Sequence, residues 1–155
     1  MVEAKMTDHL KLKIENSESW IARNSDRINI LAERSYLQNP YFSSAWLQSW
    51  WKRVDGLKTP VLLIVENDKK DLVGLWPFLE RKGILKSKGL WPFVFDEANY
   101  FHPLAELDAI PMLVNGLQDL LGQYVFVWVP LMRKKFWLDF LGGKVSGGKL
   151  LSIIR

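Results

Sequence analysis

Asn39-Pro40-Tyr41-Phe42-Ser43-Ser44-Ala45-Trp46-Leu47-Gln48-Ser49-Trp50-Trp51-Lys52 joins a turn, a helix start and a helix carrying three tryptophans. The ring of Pro40 disfavours α geometry at Asn39, so this pair reads as a turn. Ser43 or Ser44 then caps the helix by accepting a bond from an orphan amide. Leu47, Trp50, Trp51 and Val54 recur at helical spacing and form one apolar stripe, which periodicity assigns to a core. The helix should stop near Asp55-Gly56.

Upstream, Leu10 to Ile14 alternates as a half-buried strand, and Ser17 to about Arg34 reads as a helix with Ser17 as cap. Downstream, Pro60–Val65 is apolar and β-branched, 66–71 is a charged turn, and Leu72–Leu79 is apolar again. Strand, polar turn, strand is a hairpin, and the continuous apolar run puts its first strand under cover on both faces. Pro77 lacks a ladder donor and is expected at an edge, a bulge or a strand end. One or two short strands fit Ile84 to Phe95, followed by a loop through Phe95–Leu104. Asp108 to Gly122 is a helix with stripe Ile110, Leu113, Val114, Leu117, Leu120 and Leu121, capped by Asp108 and stopped by Gly122. Tyr124–Val129 is a central strand, Leu131–Leu141 a further helix, and the tail VSGGKLLSIIR a last strand. The fold class is α/β or α+β: a mixed, mainly antiparallel sheet flanked by helices.

Hydrophobic residues make up 48% and charged residues 25% of the 155 residues, a globular balance able to bury a core. Eight tryptophans are many for this length. With no cysteine there is no disulfide, thiolate metal site or thiol nucleophile, and two histidines exclude a histidine-rich metal cluster. The net charge of +4 is spread out, so Lys86-Ser87-Lys88 and Arg133-Lys134-Lys135 read as solvated faces and no nucleic-acid partner is expected. The longest apolar stretch, Tyr124–Met132, falls short of the roughly 20 residues a bilayer span needs. The N-terminus lacks an apolar signal core, so a cytoplasmic chain is expected.

NPYFSSAWLQSWWKR, PVLLIVENDKKDLVGLWPF, ANYFHPL and YVFVWVP, in this order, resemble the CelD/BcsL-like acetyltransferases of the GNAT superfamily, which are linked to bacterial polysaccharide synthesis. The resemblance runs from about Trp20 to about Pro130. It implies a GNAT-like fold: two early helices, a central hairpin, a helix and a following strand. Members are about twice this length and hold two GNAT-like halves. Residues 1–155 therefore correspond to the first half, with a second GNAT-like half or a homo-oligomer as partner. Asn99 and His102 stand where the family often has acidic residues.

The resemblance implies acetyl-CoA or another acyl-CoA as co-substrate. Such enzymes cradle its pyrophosphate in a glycine-rich turn before a helix, where backbone amides and the helix dipole meet the charge. The equivalent stretch here is Leu104-Ala-Glu-Leu-Asp-Ala-Ile-Pro111. It has no glycine, and Glu106 and Asp108 repel a phosphate, so firm binding is not expected. Gly142-Gly143-Lys144 and Gly147-Gly148-Lys149 lack P-loop spacing and read as turns. Nor is there a GxSxG elbow for a serine nucleophile.

For proton transfer the best cluster is Asp96, Glu97, Tyr100 and His102, with His102, Tyr100 and Glu97 as the catalytic candidates. The competing reading of His102 is a structural or surface histidine before a proline. Trp46, Trp76, Trp91 and Asn99 are the substrate-binding candidates, and Trp137 is a further ring able to stack on a sugar; core packing competes for each tryptophan. The expected function is acyl transfer to an amine or hydroxyl acceptor, a small molecule or a saccharide, by a half-domain inactive alone. A non-catalytic protein-interaction or carbohydrate-binding module is the alternative.

Overall fold

The computed structural model describes residues 9–53, 58–82, 88–93, 101–132, 136, 139–140 and 150–154. The elements run β1 (Lys11–Glu15), α1 (Trp20–Arg23), α2 (Ser25–Arg34), α3 (Ser44–Trp51), β2 (Lys58–Glu66), β3 (Leu72–Lys82), β4 (Lys88–Pro92), β5 (Leu104–Ala105), α4 (Ile110–Leu121), β6 (Phe126–Met132) and β7 (Leu150–Ile154). Short 3-10 turns, Pro40–Phe42 and Leu107–Ala109, lead into α3 and α4. The sheet order is β1-β2-β3-β4-β6-β7, with β5 also paired to β3. β1 to β5 pair antiparallel, whereas β4–β6 and β6–β7 are parallel. This is the mixed, mainly antiparallel sheet with flanking helices that the sequence implies.

The hairpin is its centre. β2 pairs with β3 from Lys58↔Arg81 to Glu66↔Leu72. The turn is held by the Asp71 amide donating to Asn67 Oδ1 at 2.9 Å, with Lys70 at φ 64°. Val61 to Val65 and Leu72 to Leu79 are buried on both faces. Alternation puts Leu12, Val65 and Gly74 on one face, and α4 packs there. A Cβ at Gly116 would approach Leu12 Cδ2 to 2.5 Å, so glycine lets α4 lie close to β1. Ile110, Leu113, Val114, Leu117 and Leu120 of α4 are buried, as its stripe requires.

The opposite face carries α2, anchored by charge. Arg27 Nη2 donates to Glu66 Oε1 at 2.7 Å and to the Lys70 carbonyl at 2.6 Å, and Lys13 pairs with the other Glu66 oxygen. The Glu66 side chain is 12% exposed. Burial pulls its pKa up, but the hydrogen bonds and charges of Lys13 and Arg27 outweigh that and hold it below the ordinary carboxylate value.

Several local expectations change. The helix expected over Ser17–Arg34 breaks at Asn24, whose side-chain amide donates to the Trp20 carbonyl at 2.8 Å and closes α1. Ser17 is not its cap; the helix starts at Trp20, whose amide donates to the Ser17 carbonyl. Asp108 does not cap α4, because it sits inside the preceding 3-10 turn and Ala109 takes the cap position. Ser43, rather than Ser44, caps α3 by accepting from the Trp46 amide at 3.4 Å. Leu131 and Met132 extend β6 instead of opening a helix. Val54 and the two Gly-Gly-Lys stretches lie outside the described residues. Among the described residues no helix is long and apolar enough to cross a membrane.

Pro77 is neither at an edge nor at a strand end: it lies inside β3 opposite Leu62. Its carbonyl accepts from the Phe93 amide at 3.2 Å, so its missing N–H also faces the β4 side. There the neighbouring strand is broken. β4 pairs with Phe78–Lys82 and β5 with Gly74–Leu75, so Trp76 and Pro77 fall between the two registers.

Glu66 yields a test. Its folded pKa is lowered, so its stabilisation is present above the unfolded value near 4.3 and is lost as pH falls through the folded value. Glu66→Gln should cost about 1–2 kcal/mol at pH 7 by urea unfolding, and the difference should shrink steadily below about pH 4. A pH-independent difference would contradict the ion-pair account.

Candidate functional site

Parallel strands that separate leave a crevice beyond their carboxyl ends, where ligands of open sheets bind. β4 and β6 are a parallel pair. Among the described residues they are registered at Gly89↔Phe126 and Leu90↔Val127, after which the ladder stops. Beyond it β6 continues beside β7 to Met132, whereas β4 ends at Pro92. Aromatic rings fill the start of the gap. Trp91 meets Phe126 and Trp128 edge to face, each at 5.2 Å, and the Arg81 guanidinium lies 4.8 Å above the Trp91 ring. Trp91 is half-buried. On the α3 side, Trp51 stacks on Phe93, the residue after β4, at 5.6 Å and 19°.

The start of α4 is the other ligand position to examine. The backbone ahead of it is tied to its neighbours: Ala105 N–H donates to Ser35 Oγ at 3.0 Å and Glu106 N–H to the Val73 carbonyl at 2.9 Å. The Ala105 carbonyl accepts from the Tyr36 amide at 2.7 Å. Pro111 removes one donor from the first turn of α4. Glu106 faces Arg34 at 3.3 Å, and Asp108 is exposed. A pyrophosphate here would meet two carboxylates.

The proposed site residues scatter. His102 is completely buried, 6.2 Å from the ring of Phe136, and its carbonyl accepts from Asn39 Nδ2 at 2.9 Å. Trp76 is also completely buried; its indole N–H donates to the Phe101 carbonyl at 2.9 Å, and its ring lies among Phe78, Phe101 and Phe136. Trp76 therefore presents no face to a substrate, and the core reading replaces the groove reading. Asn39 and Trp76 thus tie the backbone at His102 and Phe101 to the core. Trp46 is half-buried on α3, edge to face with Tyr41 at 5.4 Å, and lines a shallow notch with Ser49, Trp50 and Arg53. Asp96, Glu97, Asn99, Tyr100 and Trp137 lie outside the described residues.

Two features escaped the sequence reading. Tyr124 is buried and donates to Glu80 Oε2 at 3.0 Å, while Lys88 Nζ approaches Glu80 Oε1 at 3.2 Å. Burial, with the bond and charge of Glu80, pushes the phenol well above its usual range. It holds its proton at neutral pH and serves as a clasp rather than an acid. The second feature is an open cleft of about 100 Å³ between α1 and α3, lined by Glu18, Ile21, Ala22, Gln48, Trp51 and Lys52. Its residues are far apart in sequence, so no motif announces it. Among the described residues no group of acidic or histidine side chains is placed to hold a metal.

No family model and no curated protein matches this chain. Among solved structures it is similar to the spermidine N-acetyltransferase from Vibrio cholerae in complex with CoA and spermine, at 17% identity and a TM-score of 0.34. That match covers 72% of this chain and 62% of the other, so the chain spans less than two thirds of that protein's length.

The burial of His102 predicts a structural phenotype. His102→Ala should lower stability by about 2–4 kcal/mol through the cavity it leaves, read as a depressed Tm. An unchanged Tm would return His102 to the list of exposed proton carriers.

Proposed function

We propose that this chain is a GNAT-type acyltransferase domain that corresponds to the first half of a CelD/BcsL-like enzyme and works with a second GNAT-like half or a second copy. The observation that carries the reading is the parting of β4 and β6 after Leu90 and Val127. Parted parallel strands offer alternate backbone donors and acceptors to whatever lies between them. The arm of an acyl-CoA carries two amides in series and suits that ladder. The carboxylates of Glu106 and Asp108 and the missing donor of Pro111 at the start of α4 favour a site for its phosphates on the partner half.

In the reaction proposed, the acceptor's free amine attacks the thioester carbonyl. A C–N bond forms, the C–S bond breaks, and sulfur leaves with the electron pair as a thiolate. The amine proton passes to the thiolate or to solvent. The domain alone is proposed to be inactive, because the partner half completes the co-substrate site. Glu97 and Tyr100 are the proposed proton carriers, with Asn99, Trp46 and Trp91 on the acceptor side. The acceptor is an amine or hydroxyl compound, saccharides included, and the proposed setting is the cytoplasm. No nucleic-acid partner is proposed.

Calorimetry separates this reading from its rivals. The chain should bind acetyl-CoA and acetyl-pantetheine within about twofold of each other, because the arm and not the pyrophosphate makes the contacts. Acetyl-CoA binding tenfold tighter would reveal a phosphate cradle in this half. Binding of neither would leave the interaction module as the better reading.

A further inference from the structure

The cleft between α1 and α3 has an apolar floor and an oppositely charged rim. Ile21, Ala22 and Trp51 form the apolar part, and Gln48 offers both an amide donor and an acceptor. Glu18 precedes α1, and Lys52 follows α3, so the carboxylate and the ammonium reach the cleft from different segments. Both are exposed, and among the described residues neither forms an ion pair. Trp51 in turn stacks on Phe93, which follows β4. The cleft therefore adjoins the place where β4 and β6 part.

We propose that this cleft binds a small zwitterion with an apolar side chain, the chemical class of the free apolar α-amino acids. Glu18 takes the ammonium, Lys52 the carboxylate, and Trp51 with Ile21 the side chain. A neutral ring such as a sugar would use the indole and the amide, but it would leave both rim charges without partners. A simple amine would satisfy Glu18 and be repelled by Lys52. Binding of the zwitterion does not rest on the transferase reading.

The test is a titration of nitrogen-15-labelled protein with L-leucine, followed at the Trp51 indole resonance. L-leucine should saturate with a Kd of about 1 mM. 4-Methylpentanoate, which lacks the amine, and 3-methylbutylamine, which lacks the carboxylate, should each bind about threefold weaker or worse, the scale of one exposed ion pair. Ala22→Trp fills the cleft from an exposed position and should abolish the shift while leaving Tm unchanged. Glu18→Gln should erase the preference for L-leucine over 4-methylpentanoate. Equal binding of the three compounds, an unmoved Trp51 signal at about 50 mM L-leucine, or full binding by Ala22→Trp would overturn the proposal. No acyl-CoA enters the assay. L-leucine binding without any binding of acetyl-CoA or acetyl-pantetheine sinks the transferase reading and keeps the cleft; the reverse pattern sinks the cleft alone.

Discussion

The missing hydrogen-bond donor of Pro77 shapes the half of the sheet in which a ligand can bind. A proline inside a central strand leaves one rung of the ladder unmade. Here that rung lies on the β4 side, and the neighbouring strand departs where it falls. β4 ends at Pro92, and β5 pairs with β3 for two residues. Among the described residues the β4–β6 register ends at Leu90↔Val127, two residues before β4 itself ends.

Buried polar groups then secure the backbone from Phe101 to Ala105 and the helices around it. Asn39 both caps the turn before α3, accepting from the Tyr41 amide at 3.2 Å, and donates to the His102 carbonyl. Ser35 bonds both backbone groups of Ala105, at 3.0 and 3.2 Å. Trp76 reaches the Phe101 carbonyl. Each of these buried atoms would carry a desolvation cost of about 1–3 kcal/mol if left unmatched, so this stretch is fixed by polar satisfaction as well as by packing. The Ser35 bonds also tie the backbone ahead of α4 to the end of α2.

Much of the fold was legible in the residues. Alternation at Leu10–Ile14, the apolar hairpin arms and the stripe of α4 carry period-2 and period-3.6 signals strong enough to survive in the structure. What was not legible depends on contacts between distant segments. Asn24 reads as an ordinary helix residue until its side chain is seen to close the preceding turn. Pro77 reads as a strand terminator unless the break in its neighbour is known. Trp76 and His102 have the composition of a binding site, yet burial turns them into core, and burial is set by the whole chain. The cleft between α1 and α3 combines Glu18 with Lys52 across 34 positions, a separation for which a linear pattern has no signature.

The central claim is that β4 and β6 part to leave backbone groups which a ligand completes. Residue-resolved amide hydrogen exchange along β6 tests it most directly. Without ligand, Val127 should be protected, while every second amide from Trp128 to Met132, on the side away from β7, should exchange fast; Pro130 has none. Saturating acetyl-pantetheine should slow that alternate set and leave the β7-facing set unchanged. Uniform protection of β6 in the free protein, or an exchange pattern indifferent to the ligand, would contradict the account.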